Sequence, residues 1–433
     1  MQTVLLDDPC YSEKTAALNR VPIPDQILKK TVGKILTDVA KNGDKALLRL
    51  TAKFGGPKLT ASTLPVTPAE IAEACRGTAP EVRAAIKASK KNVAAFAKQS
   101  LRKTWFRKNS QGAVVGERFD PLERVGIYIP GGTAPLVSTA VMTCTLAAVA
   151  GVREIVAVTP PGADGRIPSA VLAALAECGA GEVYRVGGAQ AVAALAFGTQ
   201  SIRPVQKIFG PGNAYVVEAK RQVFGRVAVD LLPGPSEVLV IADAKANPNW
   251  VAADLLAQCE HGKGSVGILL TDSRKMLRSV EKALAQQLKN SSRIKELKLA
   301  LEHTWLVEVP NLQAAAALAN KFAAEHVSVA TATPGEIAAM LTTTGAIFLG
   351  GLSPVAVGDF LAGPSHELPT GGAGKSFSGL TVDQFQRRTS IVMLDRSSLT
   401  ASLPYLETLC AVEGLDAHAR SVAIRCEKSK SKI

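Results

Sequence analysis

The sequence predicts an α/β fold: two parallel-sheet lobes of incomplete Rossmann-like character, with a small N-terminal segment and a helical C-terminal segment. Three observations carry this expectation. From about residue 124, short apolar strands alternate with amphipathic or Ala-rich helices, the pattern of parallel sheets covered by helices on both faces. The alternation comes in two runs, which meet near residue 236. A chain of 433 residues is also long enough to bury more than one core.

Before the alternation begins, helical patterns cover roughly 24–50 and 79–100, and Thr67-Pro68-Ala69-Glu70 is a capping box with Pro at the first helical position. The first run reads VGIYI, helix 137–150, EIVAV, helix 168–178, EVYRV, helix 188–197, KIF, helix 213–223. The second reads EVLVIAD, helix 247–259, SVGILLT, helix 273–290, WLVEV, helix 311–323, HVSVA, helix 335–343, AIFLG. The last fifty or so residues read as mostly helical, with a frayed charged end, EKSKSKI. The division expected is an N-terminal segment 1–23, a first lobe built from 24–127 and 237–380, a second lobe 128–236, and the tail 381–433.

Composition narrows the function classes. At 47% hydrophobic and 20% charged, the chain has the make-up of a soluble globular protein. MQTVLLDDPC has no basic region followed by an apolar run, and the longest weakly polar stretch, 136–152, is too short for a membrane span. Seven cysteines stand scattered without a CxxC pair, which argues against a disulfide framework and suits a reducing cytoplasm. The net charge of +13 is spread along the chain without a nucleic-acid-binding motif, so no nucleic-acid partner is expected. Its densest stretch, Lys87 to Lys108, includes Trp105 and Phe106 and reads as a solvated helix face, or as a surface attracting an anionic cofactor.

The stretch SHELPTGGAGKSF, 365–377, ends like a phosphate-binding loop. Such a loop needs a glycine five residues before its final Gly-Lys-Ser. Here that position is Pro369, which has no N–H to offer, and no buried strand precedes it. A Gly-rich surface loop is the better reading. Three other turns, YIPGGTAPL, VGGAQA and FGPGNAYVVEAKR, follow strands and open helices, where a pyrophosphate can sit. No GxGxxG fingerprint accompanies them, and sharp strand-to-helix turns explain them equally well.

The chain has five histidines. His303 has no partner nearby in sequence. His261 closes LLAQCEHG three residues after Gln258, where a cation at a helix C-terminus already has a structural rationale. Glu325 and His326 adjoin at a helix–strand junction and reach one substrate only if they lie at a strand end. Asp359 and His366 bracket a Gly/Pro loop, and Glu413 and His418 lie in the helical tail. Spacing alone does not bring these together.

Taken as a set, FGPGNAYVVEAKRQV, PGPSEVLVIAD, DLLAQCEHG, AAEHVSV, GDFLAGPSHELPTGG and GLDAHARSVAIR resemble histidinol dehydrogenases. The resemblance runs from the N-terminal helix to the end of the chain. It implies oxidation of L-histidinol through the aldehyde to L-histidine, the last two steps of histidine biosynthesis, with two NAD+ and one Zn2+ per site. By the same resemblance, Gln258, His261, Asp359 and His418 match the zinc ligands, which also touch substrate. Glu325 and His326 match the acid–base pair, and His326 also contacts substrate. Ser236, His366 and Glu413 match further substrate contacts, and Tyr128, Gln190 and Asn213 match NAD contacts. An intertwined homodimer with composite active sites is implied, the tail of one chain completing the site of the other. Cys259, between two proposed ligands, reads as a packing residue, as an oxidation-sensitive neighbour or as a competing metal ligand. A related zinc- and NAD-dependent dehydrogenase of another small amino or sulfonated alcohol is the nearest alternative.

Overall fold

A computed structural model describes residues 1–18, 25–131, 135–262, 264–291 and 293–427. The expected turn at 132–134 and the charged end at 428–433 lie outside the described residues.

Both runs of alternation form parallel sheets. One has five strands in the order Glu182–Arg185, Glu154–Thr159, Arg124–Tyr128, Lys207–Phe209 and Ala228–Val229. The other has six, in the order Gln2–Val4, Trp305–Glu308, Val266–Thr271, Glu237–Ala242, His326–Ala330 and Ala346–Leu349. Central strands such as Glu237–Ala242 are buried along their whole length, as strands covered on both faces must be.

The expected division of the chain needs one correction. Residues 24–127 do not complete the six-stranded lobe. The helix Gln26–Lys53 packs on the helices Gly188–Phe197 and Ala214–Val223, and the helices Pro68–Gly77 and Pro80–Ser100 pack on Ser169–Glu177 and Val137–Ala150. Val32, Leu36, Val39 and Leu47 share a core with Val158, Val192 and Ile208, so burial of their apolar stripe decides the side they join. The N-terminal segment instead contributes a strand to the six-stranded sheet, Gln2–Val4 pairing beside Trp305–Glu308.

A second difference is a small antiparallel sheet, Gln386–Met393, Val114–Pro121 and Trp105–Lys108. The basic stretch therefore ends as a strand and not as a helix face. The tail leaves the body through strand Gln386–Met393 before the helices Arg396–Glu413 and Asp416–Cys426 begin. Among the described residues no helix is long and apolar enough to cross a membrane. The capping box at Thr67 is present, with Glu70 returning to the Thr67 N–H at 2.9 Å.

Candidate active site

Apart from Glu413 and His418, the residues expected to contact metal or substrate collect at the amino ends of the six-stranded sheet. Glu237 and His326 open neighbouring strands, with Ser236 and Glu325 immediately before them. Gln258 and His261 come from the C-terminal end of helix Pro248–Cys259, just ahead of strand Val266–Thr271. That helix end carries partial negative charge and favours a cation. Asp359 ends the short helix Val355–Phe360, and His366 lies on the loop after it.

Tyr128, Gln190 and Asn213 collect instead at the carboxyl ends of the five-stranded sheet. The Tyr128 hydroxyl accepts the Gly188 N–H at 3.0 Å, and a Cβ at Gly210 would collide with the Tyr128 carbonyl, so one residue ties two of the Gly-rich turns together. Tyr128 and Gln190 are buried, whereas Asn213 is exposed and caps helix Ala214–Val223 by accepting the Tyr215 and Val216 N–H groups. The two edges meet: His366 Nε2 stands 3.4 Å from the Thr139 hydroxyl, on the helix that follows strand Arg124–Tyr128.

The hydrogen bonds fix tautomers. His326 Nδ1 lies 3.1 Å from the Glu237 carbonyl, which can only accept, so Nδ1 carries the proton and the neutral ring presents its Nε2 lone pair. Nε2 is 3.4 Å from Asp359 Oδ1 and has no well-aligned hydrogen-bond partner. By the same logic His366 Nδ1 donates to the Asp359 carbonyl at 2.8 Å.

Glu325 is buried 3.5 Å from His326 Nδ1, and its Oε2 accepts the Glu237 N–H at 2.9 Å. Burial pushes Glu325 up to about 7, against the pull of the neighbouring imidazole. For His326, burial opposes the charged form. The Glu325 and Asp359 carboxylates outweigh it and push His326 up to about 9. Dense packing lowers His366, keeping it neutral at pH 7.

Glu237 was not singled out from sequence, yet it organises this edge. Its carbonyl orients His326, its N–H holds Glu325, and its Oε1 accepts the Gly371 N–H at 3.0 Å. The available signal was an acid opening an otherwise uninterrupted apolar strand. Gly371 belongs to the loop that mimicked a phosphate-binding motif. Its Gly-Lys-Ser forms only a single 3-10 turn, Ala373–Lys375, with no strand directly ahead of it.

Cys259 turns away from the site into the core, with Sγ 3.7 Å from the Thr304 hydroxyl, and burial pushes its thiol up. That supports packing over redox sensitivity. Glu413 and His418 are exposed on the two tail helices, which pack on each other. Among the described residues neither side chain bonds to Gln258, His261 or Asp359, and no group of three or more His, Cys, Asp or Glu is placed to hold a metal. This chain brings Gln258, His261, Asp359, Glu325, His326 and His366 to one edge and leaves the tail residues apart.

A family model described as histidinol dehydrogenase matches residues 19–426. A histidinol dehydrogenase of Moorella thermoacetica is 42% identical over 92% of this chain and 94% of its own length. One from Rhodopseudomonas palustris is 46% identical over 90% and 91%. A crystal structure of histidinol dehydrogenase from Elizabethkingia anophelis superposes with a TM-score of 0.93 at 34% identity, covering 98% of each chain.

Proposed function

The chain belongs to the histidinol dehydrogenase family, and from that membership we propose that it oxidises L-histidinol through the aldehyde to L-histidine in histidine biosynthesis, using two NAD+ and one Zn2+ per site. The observation that carries the reading is the buried Glu325–His326 pair, held by Glu237 with His326 Nε2 turned toward Asp359.

Oxidising an alcohol by hydride loss requires removal of its hydroxyl proton, and His326 Nε2 is the base. The second oxidation needs an activated water. Glu325, near 7, is poised to take a proton from it and to return one. When bound, NAD+ would supply the hydride acceptor, and Tyr128, Gln190 and Asn213 would shape the turns that hold it.

The residues present fit a metal ion. The Gln258 amide is buried with its Nε2 lacking any hydrogen-bond partner, and an amide turned by 180° presents its oxygen there instead. His261 and the Asp359 carboxylate are the other two donors from this chain. Zinc would orient substrate as a template and would offset the Asp359 charge, which together with Glu325 keeps His326 protonated. Ser236 and His366 would contact the substrate.

A composite site in a homodimer is supported by the tail. Tyr405, Leu409 and Val412 recur on one face of helix Arg396–Glu413 at 64%, 61% and 82% exposure, an apolar strip uncovered in the single chain. A second copy covering that strip would bring His418 and Glu413 to the other chain's site. Histidinol-dependent NADH formation by the metal-replete protein tests the proposal, and its absence would defeat it.

A further inference from the structure

The nucleotide-side turn is held by a buried charge that hydride transfer does not use. Lys220 lies on the apolar face of helix Ala214–Val223, flanked by Val216, Ala219 and Val223, and its side chain is fully buried. Its ammonium donates to the Gly210 carbonyl at 2.8 Å and forms an ion pair with the buried Asp230 carboxylate. Asp230 in turn accepts the Gly210 N–H at 2.7 Å. Both backbone groups of Gly210 are therefore clamped by one ion pair, at the point where the turn presses on the Tyr128 carbonyl.

Glu367 completes the cluster from the loop that carries His366. It follows His366, is buried, and faces Asp230 with its Oε1 lacking any hydrogen-bond partner. We propose that Lys220, Asp230 and Glu367 form a positioning unit that sets the Gly210 turn, and with it the nicotinamide, against the loop that carries His366.

Charge balance specifies the chemistry. The cluster holds one cation and two carboxyl groups away from water. Burial and the Asp230 charge both push the Glu367 carboxyl well above the usual carboxylate range, so as the neutral acid it would donate its O–H to Asp230. Such a hydrogen bond is one that an amide can replace and a hydrocarbon cannot.

The unit acts on the reaction proposed above, so its test separates the two ideas. Glu367→Gln, Glu367→Ala and Glu367→Met are prepared as full-length, zinc-loaded protein. NAD+ affinity is measured by calorimetry without histidinol. Turnover and the isotope effect are measured with histidinol deuterated at its carbinol carbon. Glu367→Gln keeps NAD+ affinity and turnover close to the parent. Glu367→Ala binds NAD+ several-fold more weakly, loses kcat on the order of 10²-fold through misplacement of the reacting carbon, and shows a larger isotope effect at little-changed KM for histidinol. Should Glu367→Ala fail to fold, Glu367→Met, close in volume and without a donor, carries the same comparison. Parental NAD+ affinity and isotope effect in the Ala or Met variant would overturn the proposal, as would equal damage in Glu367→Gln. A parent that does not oxidise histidinol would defeat the proposed function, while the calorimetric comparison would still test the clamp.

Discussion

Replacing Glu325 by Gln separates the two oxidations. The amide is nearly isosteric, and its oxygen can still accept the Glu237 N–H that Glu325 holds at 2.9 Å, so the strand edge keeps its geometry. What disappears is a base and a charge. Loss of general-base help costs on the order of 10²–10⁴-fold, about 2.7–5.4 kcal/mol of barrier, and this falls on aldehyde oxidation. The alcohol step responds differently. At 3.5 Å and an effective dielectric of about 20, the Glu325 carboxylate favours protonated His326 by roughly 5 kcal/mol, and Gln removes that support. His326, otherwise pushed up to about 9, then returns toward the neutral form a base requires. Alcohol oxidation therefore loses far less. The pH profile gives a second readout. A base acts deprotonated, so aldehyde oxidation by the parent rises with pH through about 7, and the variant lacks that limb. Histidinol and histidinal are supplied separately with NAD+, and NADH is followed by absorbance. Equal losses for the two substrates, or a retained limb near 7, would refute the division of labour between Glu325 and His326.

Three further outcomes are expected. Chelation with EDTA abolishes activity with the far-UV circular dichroism unchanged, because the donors sit at the ends of elements and not in the cores; full activity in a metal-free sample would refute the zinc site. A mixed dimer of His326→Ala and His418→Ala chains, isolated with two affinity tags, regains activity absent from both homodimers, since tail exchange leaves one site whole. An inactive mixed dimer would place His418 in its own chain's site or outside any site. Lys375→Ala leaves NAD+ affinity unchanged and the parent does not bind ATP; ATP binding lost on mutation would restore the phosphate-loop reading.

Most strands and helices of both sheets were legible, the helices by a periodic apolar face and the strands by short continuous apolar runs, whereas the edge strands Gln2–Val4 and Ala228–Val229 were not. Helix 137–150 was expected and Val137–Ala150 is observed. The antiparallel sheet was not legible. Its strand Trp105–Lys108 is exposed along its length and so lacks alternation, and its third strand lies at the far end of the chain. Placement of residues 24–127 depended on which apolar stripe met which sheet, and periodicity alone does not choose. Among site residues, Glu325 and His326 were visible as a junction pair, but their hold on Glu237 follows from the register His326↔Val238 between strands far apart in sequence. Gln258 could be placed on the His261 face by spacing, while its unsatisfied amide needed the fold. Lys220 left a readable trace, a cation among Val216, Ala219 and Val223; Asp230 and Glu367 left none until the lobes met.

In the proposed function, one site carries histidinol through both oxidations. The most direct measurement follows NADH and histidine together while metal-replete protein consumes a limiting amount of L-histidinol with excess NAD+, with a carbonyl trap present to capture released aldehyde. Two NADH for each histidine formed and no trapped aldehyde are expected. One NADH for each histidinol consumed, with aldehyde accumulating in the trap, would contradict the proposed function.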